Sequence, residues 1–177
     1  MADRVSNVSV DELSASILKT AVVIEDFGID FYSKMSGCVA EERGAALLKS
    51  LASDEREHKA ILEKQLDELS RSSDIAKVKP MGEYLSILPD KVFVPPPNGA
   101  CLVLQDEISA LEKGIDVEIN SKRMYDEALL KVQDPKLRKT LQELAKWEAR
   151  HREILEENLR LLRLEGAWYG YGPILEG

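Results

Sequence analysis

Cysteine and histidine are scarce in this chain, with two of each among 177 residues. Cys38 and Cys101 stand in separate segments, and neither opens a Cys-x-x-Cys pair. That absence excludes a rubredoxin-type or zinc-ribbon module within the sequence. Two lone cysteines read as packed thiols in a reducing compartment, so the expected location is cytoplasmic. Aromatic residues are only 6% of the chain. No basic cluster with interleaved aromatics occurs, so the stacking platform of a nucleic-acid binder is missing. A net charge of −8 disfavours nucleic acid and anionic membranes as partners and is compatible with attracting cations. No run approaches the roughly 20 apolar residues of a membrane span, and no apolar stretch with a cleavage site follows residues 1–5. No segment alternates as a strand would.

What remains is helical periodicity. At 177 residues the chain is expected to form one domain, residues 1–177, with a continuous core. A first helix is predicted at about 10–37, opened by Ser9 with Asp11 and Glu12 in its first turn and stopped near Gly37. A second is predicted at about 40–71, and so short a break implies an antiparallel hairpin. Residues 72–99 hold Pro80, Gly82, Pro89, Pro95, Pro96, Pro97 and Gly99. They read as a crossover with a short helix near 81–88. A third helix fits about 100–132. A fourth, about 135–164, has Asp134 as its cap and Pro135 at its first position. The tail, 166–177, is aromatic and glycine-rich and is expected to pack on the bundle or on a second subunit. Two long hairpins joined by a crossover predict an all-α, ferritin-like four-helix bundle. Crossover and tail together point to a small oligomer, a homodimer.

Both histidines close the same motif. Glu55-Arg56-Glu57-His58 and Glu148-Ala149-Arg150-His151 are each Glu-x-x-His, 93 residues apart. Glu supplies 20 of the 177 residues, so chance alone would place one three before both histidines about one time in eighty. The same offset carries Glu25 onto Glu118, Tyr32 onto Tyr125 and Leu18 onto Leu111. Segments 51–66 and 144–159 share eight identities in sixteen. The pattern is that of a duplicated helical hairpin building one two-metal site.

Residues three apart on a helix share a face, and so do residues seven apart. Leu18, Glu25 and Tyr32 therefore form one inward stripe, and Leu111, Glu118 and Tyr125 another. A glutamate inside an apolar stripe is costly as a free charge and tolerable when it binds a cation. Taken singly, a Glu-x-x-His is usually a surface feature and a tyrosine at helical spacing is usually core. As a duplicated set, Glu25, Glu55, His58, Glu118, Glu148 and His151 are expected to bind metal. Four carboxylates would neutralise two divalent ions, and one imidazole per ion completes a set suited to iron or manganese, with zinc as a further substitute. By symmetry Glu55 and Glu148 would bridge, with Glu25 and Glu118 terminal. Tyr32 and Tyr125 would donate hydrogen bonds to ligand carboxylates.

With these residues in view, the sequence resembles the rubrerythrin-type diiron domain of the ferritin-like superfamily. The resemblance covers about 10–164 and rests on Glu25 with Phe31-Tyr32, Glu55-x-x-His58, Glu118 with Met124-Tyr125, and Glu148-x-x-His151. It implies a carboxylate-bridged centre of two iron ions that reduces hydrogen peroxide, or reacts with dioxygen, in oxidative-stress defence. Electrons would come from a separate rubredoxin-like donor, because the rubredoxin cysteines are absent. The family also carries a further Glu three residues after the third-helix ligand, where this chain has Ser121. That departure predicts a more symmetric site and weakens the expectation of full peroxidase behaviour. Competing readings are a ferroxidase or iron-handling protein, and a metal-stabilised helical interaction module without turnover.

Overall fold

The computed structural model describes residues 9–86, 88 and 102–170. Regular structure among them is entirely helical: α1 (Val10–Ser36), α2 (Glu42–Ser72), the one-turn α3 (Gly82–Leu85), α4 (Leu104–Leu129) and α5 (Pro135–Glu165). Expectations that fall on residues 87 and 89–101, the later part of the crossover with Cys101, and on the tail beyond Gly170 lie outside the described residues.

The helix ends follow from local chemistry. Ser9 and Glu12 form a reciprocal capping box: Glu12 N–H donates to Ser9 Oγ at 3.1 Å, and Ser9 N–H donates to the Glu12 carboxylate at 2.9 Å. Glu41 caps α2 by accepting from Gly44 N–H, and Asp134 caps α5 by accepting from Leu137 N–H at 2.6 Å. Gly166 closes α5 in the left-handed conformation at φ 66°, which only glycine adopts without strain. The predicted 100–132 helix is shorter than expected at both ends. Val103 is extended and serves as its N-cap, and Leu130 is its C-cap. Arg138 from the next helix donates to the Val132 carbonyl at 2.8 Å, satisfying backbone past the helix end.

The 93-residue repeat holds to the residue at three of the four pairs of helix ends, and the starts of α1 and α4 are 94 apart. Ser36 and Leu129 end their helices, Glu41 and Asp134 cap the next ones, and Ser72 and Glu165 end those. Ile75 and Trp168, also 93 apart, are both buried just past a long helix.

Two contacts settle the direction of the crossover. Ser73 at the end of α2 donates to Asp11 at the start of α1. Leu102 N–H, just before α4, donates to the Cys38 carbonyl, just after α1, at 2.7 Å. The connector therefore passes from one end of the bundle to the other, and α2 and α4 run parallel. Its first stretch lies on α1, where Lys19 donates to the carbonyls of Ile75 and Val78, each at 2.7 Å, and Ser16 to that of Lys79 at 2.7 Å. The protein is an all-α, ferritin-like four-helix bundle. Two apolar layers fill it. One holds Phe31, Met35, Leu48, Leu51, Leu111 and Leu155, and the other Ile17, Leu18, Leu62, Met124, Leu141 and Leu144. No helix among the described residues is long and apolar enough to cross a membrane.

Of the tail's two expected resting places, the described part takes the first and packs on its own bundle. Trp168 is buried, and its indole N–H donates to Glu107 at 3.0 Å. Asn158 accepts from the backbone N–H groups of Tyr169 and Gly170 at 3.0 and 2.9 Å. Gly44 makes room for the indole, since a Cβ there would lie 2.4 Å from the ring. Trp168→Ala is expected to cost about 3–5 kcal/mol through the cavity left behind, and Gly44→Ala about 1–3 kcal/mol through overpacking. Urea denaturation of the two variants checks both, and unchanged midpoints would contradict this packing.

Candidate metal centre

The two apolar layers are separated by one buried polar layer. Glu25 on α1, Glu55 and His58 on α2, Glu118 on α4, and Glu148 and His151 on α5 are all buried there. The duplicated motif thus brings all six side chains together. The stripe spacing of α1 and α4 delivers one carboxylate from each, and Glu-x-x-His delivers a carboxylate and an imidazole from each of α2 and α5.

Both imidazoles turn Nδ1 inward. His58 Nδ1 lies 3.1 Å from Glu55 Oε2, 3.4 Å from Glu25 Oε2 and 3.8 Å from Glu148 Oε1. His151 Nδ1 lies 3.1 Å from Glu55 Oε1 and 3.8 Å from Glu118 Oε2. The rings stack with centroids 5.6 Å apart and planes inclined by 23°. Glu55 thus presents one oxygen to each imidazole.

Two overlapping groups have the spacing to hold an ion. One is Glu25, Glu55, His58 and Glu148, and the other is Glu55, Glu118, Glu148 and His151, with ligand atoms in each within 4.8 Å of one another. Glu55 and Glu148 belong to both groups. Glu25 and Glu118 each belong to one.

The layer also carries unfilled demand. Glu118 Oε2 and Glu148 Oε1 are buried without a hydrogen-bond partner, and each faces an imidazole Nδ1. A buried acceptor without a partner costs about 1–3 kcal/mol, more when charged. Two divalent cations would satisfy both oxygens and balance four carboxylates, so the residues fit such a pair.

Without cations, protons do that work. Burial, reinforced by the charges of Glu55 and Glu148, pushes the Glu25 carboxyl well up. Burial and then Glu148 do the same to Glu118, and burial and then Glu55 raise Glu148. Glu55 goes the other way. Burial alone would raise it, but hydrogen bonds with Glu25, His151 and His58 outweigh that and hold it well below the usual carboxylate range. Burial would lower the imidazoles, yet contacts with Glu25 and Glu55 push His58 up to about 11, and Asp54 and Glu55 push His151 up to about 9.

The tyrosines cross between the halves. Tyr32 on α1 donates its hydroxyl to Glu118 on α4, and Tyr125 on α4 donates to Glu25 on α1. Burial, with the adjacent carboxylate charge, raises both phenols, which keeps them protonated and therefore donors.

The expected symmetry does not extend to the surroundings. Ser121 donates its hydroxyl to Glu148 Oε2 at 3.0 Å. Its counterpart 93 residues earlier is Gly28, where a Cβ would lie 3.1 Å from Glu55 Cγ, so no side chain fits there without displacing the carboxylate. Ser121 on one side and Gly28 on the other therefore leave the two shared carboxylates unequal. Asp54, which the sequence reading passed over, lies with Oδ2 3.3 Å from His151 Nε2. Its counterpart, Trp147, lies against His58 with ring centroids 5.9 Å apart. Comparing the repeat position by position, rather than by its identities, would have exposed both mismatches. Other nearby acids are engaged elsewhere: Asp26 and Glu63 pair with Lys59, Glu112 with Arg163 and Glu156 with Arg152.

Comparisons with known proteins agree with this geometry. The family model described as Rubrerythrin matches residues 16–159. A solved structure of a hypothetical protein from Pyrococcus furiosus is 20% identical, with a TM-score of 0.68 over 91% of this chain and 94% of that one. At that identity it supports the fold alone. None of the curated proteins matches the sequence.

The proton inventory gives a pH prediction for the chelated protein. Both imidazoles have folded values above their ordinary 6.5. Their contribution to stability is complete below about 6.5 and is lost as pH rises through about 9 and then about 11. The raised Glu25, Glu118 and Glu148 act in the same direction, whereas Glu55, held low, loses its contribution only in acid. Chelated protein should therefore lose stability from pH 6.5 to 9.5, by up to about 1.4 kcal/mol per pH unit for each proton retained on folding. Urea denaturation across that range tests it, and stability that is flat or rising would contradict the assignment.

Proposed function

The chain belongs to the rubrerythrin family, and from that premise we propose that it is a non-haem diiron carboxylate protein that reduces hydrogen peroxide. The observation that carries this reading is the pair of buried carboxylate–imidazole groups sharing Glu55 and Glu148. An all-oxygen-and-imidazole donor set favours iron or manganese over soft-metal chemistry. Bound there, two ferrous ions would supply the two electrons that peroxide needs to become two waters, with two protons taken up.

The chain's own residues set the conditions for that reaction. Glu25, Glu55, His58 and Glu148 would hold one ion, and Glu55, Glu118, Glu148 and His151 the other. Tyr32 and Tyr125 orient the terminal carboxylates and, remaining protonated, keep a hydroxyl proton at each end of the site. Apolar layers on both sides exclude bulk water and hold the ligands in place. Neither cysteine forms a rubredoxin-type pair, so a separate rubredoxin-like protein is the proposed electron donor.

The test is to load the apoprotein anaerobically with ferrous iron and mix it rapidly with hydrogen peroxide or with dioxygen, following diferric absorbance. Fast oxidation by peroxide and slow oxidation by dioxygen, ending at two irons per chain, is expected. Fast oxidation by dioxygen that continues past two irons would replace this reading with a ferroxidase or iron-handling one. Tyr32→Phe is expected to retain iron and to slow the reaction about 10–100-fold. Unchanged kinetics would reduce Tyr32 to a packing role.

A further inference from the structure

A histidine that binds a metal through Nδ1 must carry its proton on Nε2. What stands at Nε2 then decides how well the ring is held in that form. A carboxylate there accepts the proton's hydrogen bond, orients the ring and makes Nδ1 a better donor. An indole cannot do this, because its N–H only donates.

The two halves of the centre differ in what the repeat sets beside each imidazole. His151 is wholly buried, and its Nε2 has no well-directed hydrogen bond, yet Asp54 Oδ2 is only 3.3 Å away. Asp54 is on α2, one residue before Glu55, so it reaches across from the neighbouring hairpin. Its side chain is 28% exposed. At His58 the equivalent position is Trp147, one residue before Glu148, 45% exposed and tilted by 48° against the imidazole. The repeat therefore sets a carboxylate behind one imidazole and an apolar ring against the other.

We propose that the two metal positions are unequal by construction: the Glu118–His151 position takes the first divalent ion because Asp54 orients His151, and the Glu25–His58 position, where Trp147 replaces that carboxylate, takes the second more weakly. Asp54 is thus a positioning residue acting through His151. The inference rests on the metal-binding reading above and adds to it an order of filling.

The probe is ferrous iron alone, titrated anaerobically into metal-free protein by calorimetry. Crystals grown with one equivalent, measured for anomalous scattering at the iron edge, locate the first ion. Wild-type protein should bind in two resolved steps, with the first ion predominantly at the Glu118–His151 position. Asp54→Asn should weaken the first step about 10–100-fold and leave the second nearly unchanged. Trp147→Asp, which supplies the missing carboxylate, should strengthen the second step and bring the two together. Far-UV circular dichroism confirms that each variant is folded. Two equal steps in the wild type, equal occupancy at one equivalent, or an Asp54→Asn isotherm identical to wild type would overturn the proposal while leaving the metal site standing. Failure of the wild type to bind iron at all would overturn both.

Discussion

Four carboxylates and two imidazoles buried in one layer make a demand that the rest of the bundle is arranged to meet. Charges so placed cannot remain uncompensated, because the effective penalty in a protein interior is several kcal/mol per ion. Protons on Glu25, Glu118 and both imidazoles offer one solution. A pair of divalent cations would offer another and would also satisfy the two oxygens left without hydrogen-bond partners. The apolar layers on either side strengthen the demand by keeping water out. They also supply the two phenols that cross between the hairpins, so the layers that isolate the site also hold its carboxylates.

Duplication explains both the economy of this arrangement and its flaw. One hairpin supplies two carboxylates and one imidazole, and a second, related by 93 residues, completes the set. The crossover along the bundle makes α2 and α4 parallel and sets the two Glu-x-x-His helices facing each other. Each hairpin is then free to drift where ligand identity does not constrain it. Gly28 against Ser121 and Asp54 against Trp147 are such positions, and both touch a ligand. The centre is therefore symmetric in its residue types, two carboxylates and one imidazole from each hairpin, and asymmetric in what supports them.

Much of this was legible in the sequence, for identifiable reasons. Caps have strong local chemistry, so Ser9, Asp134 with Pro135, and Gly166 placed helix ends to within a residue or two. The site was legible because ligand positions recur as identities, and two histidines in 177 residues leave little room for coincidence. Other features depend on tertiary packing. The C-terminal end of α4 is supported by Arg138, nine residues beyond the helix, reaching back to the carbonyls of Leu129 and Val132. Trp168 finds its place because Gly44, on another helix, lacks a side chain. Asp54 looks like any exposed helix acid, and only the juxtaposition of α2 and α5 brings it to His151. Ser121 adds asymmetry to the site because its hydroxyl donates to Glu148, whereas Gly28 has no side chain to donate to Glu55.

The most direct test of the account is X-ray absorption at the iron edge on anaerobically loaded protein, with iron content measured on the same sample. The account predicts two irons per chain, oxygen- and nitrogen-dominated ligation with no sulfur, and an iron–iron vector at roughly 3.5–4 Å. One iron per chain, no iron–iron vector, or sulfur ligation would contradict the claim that this buried layer is a dinuclear carboxylate site.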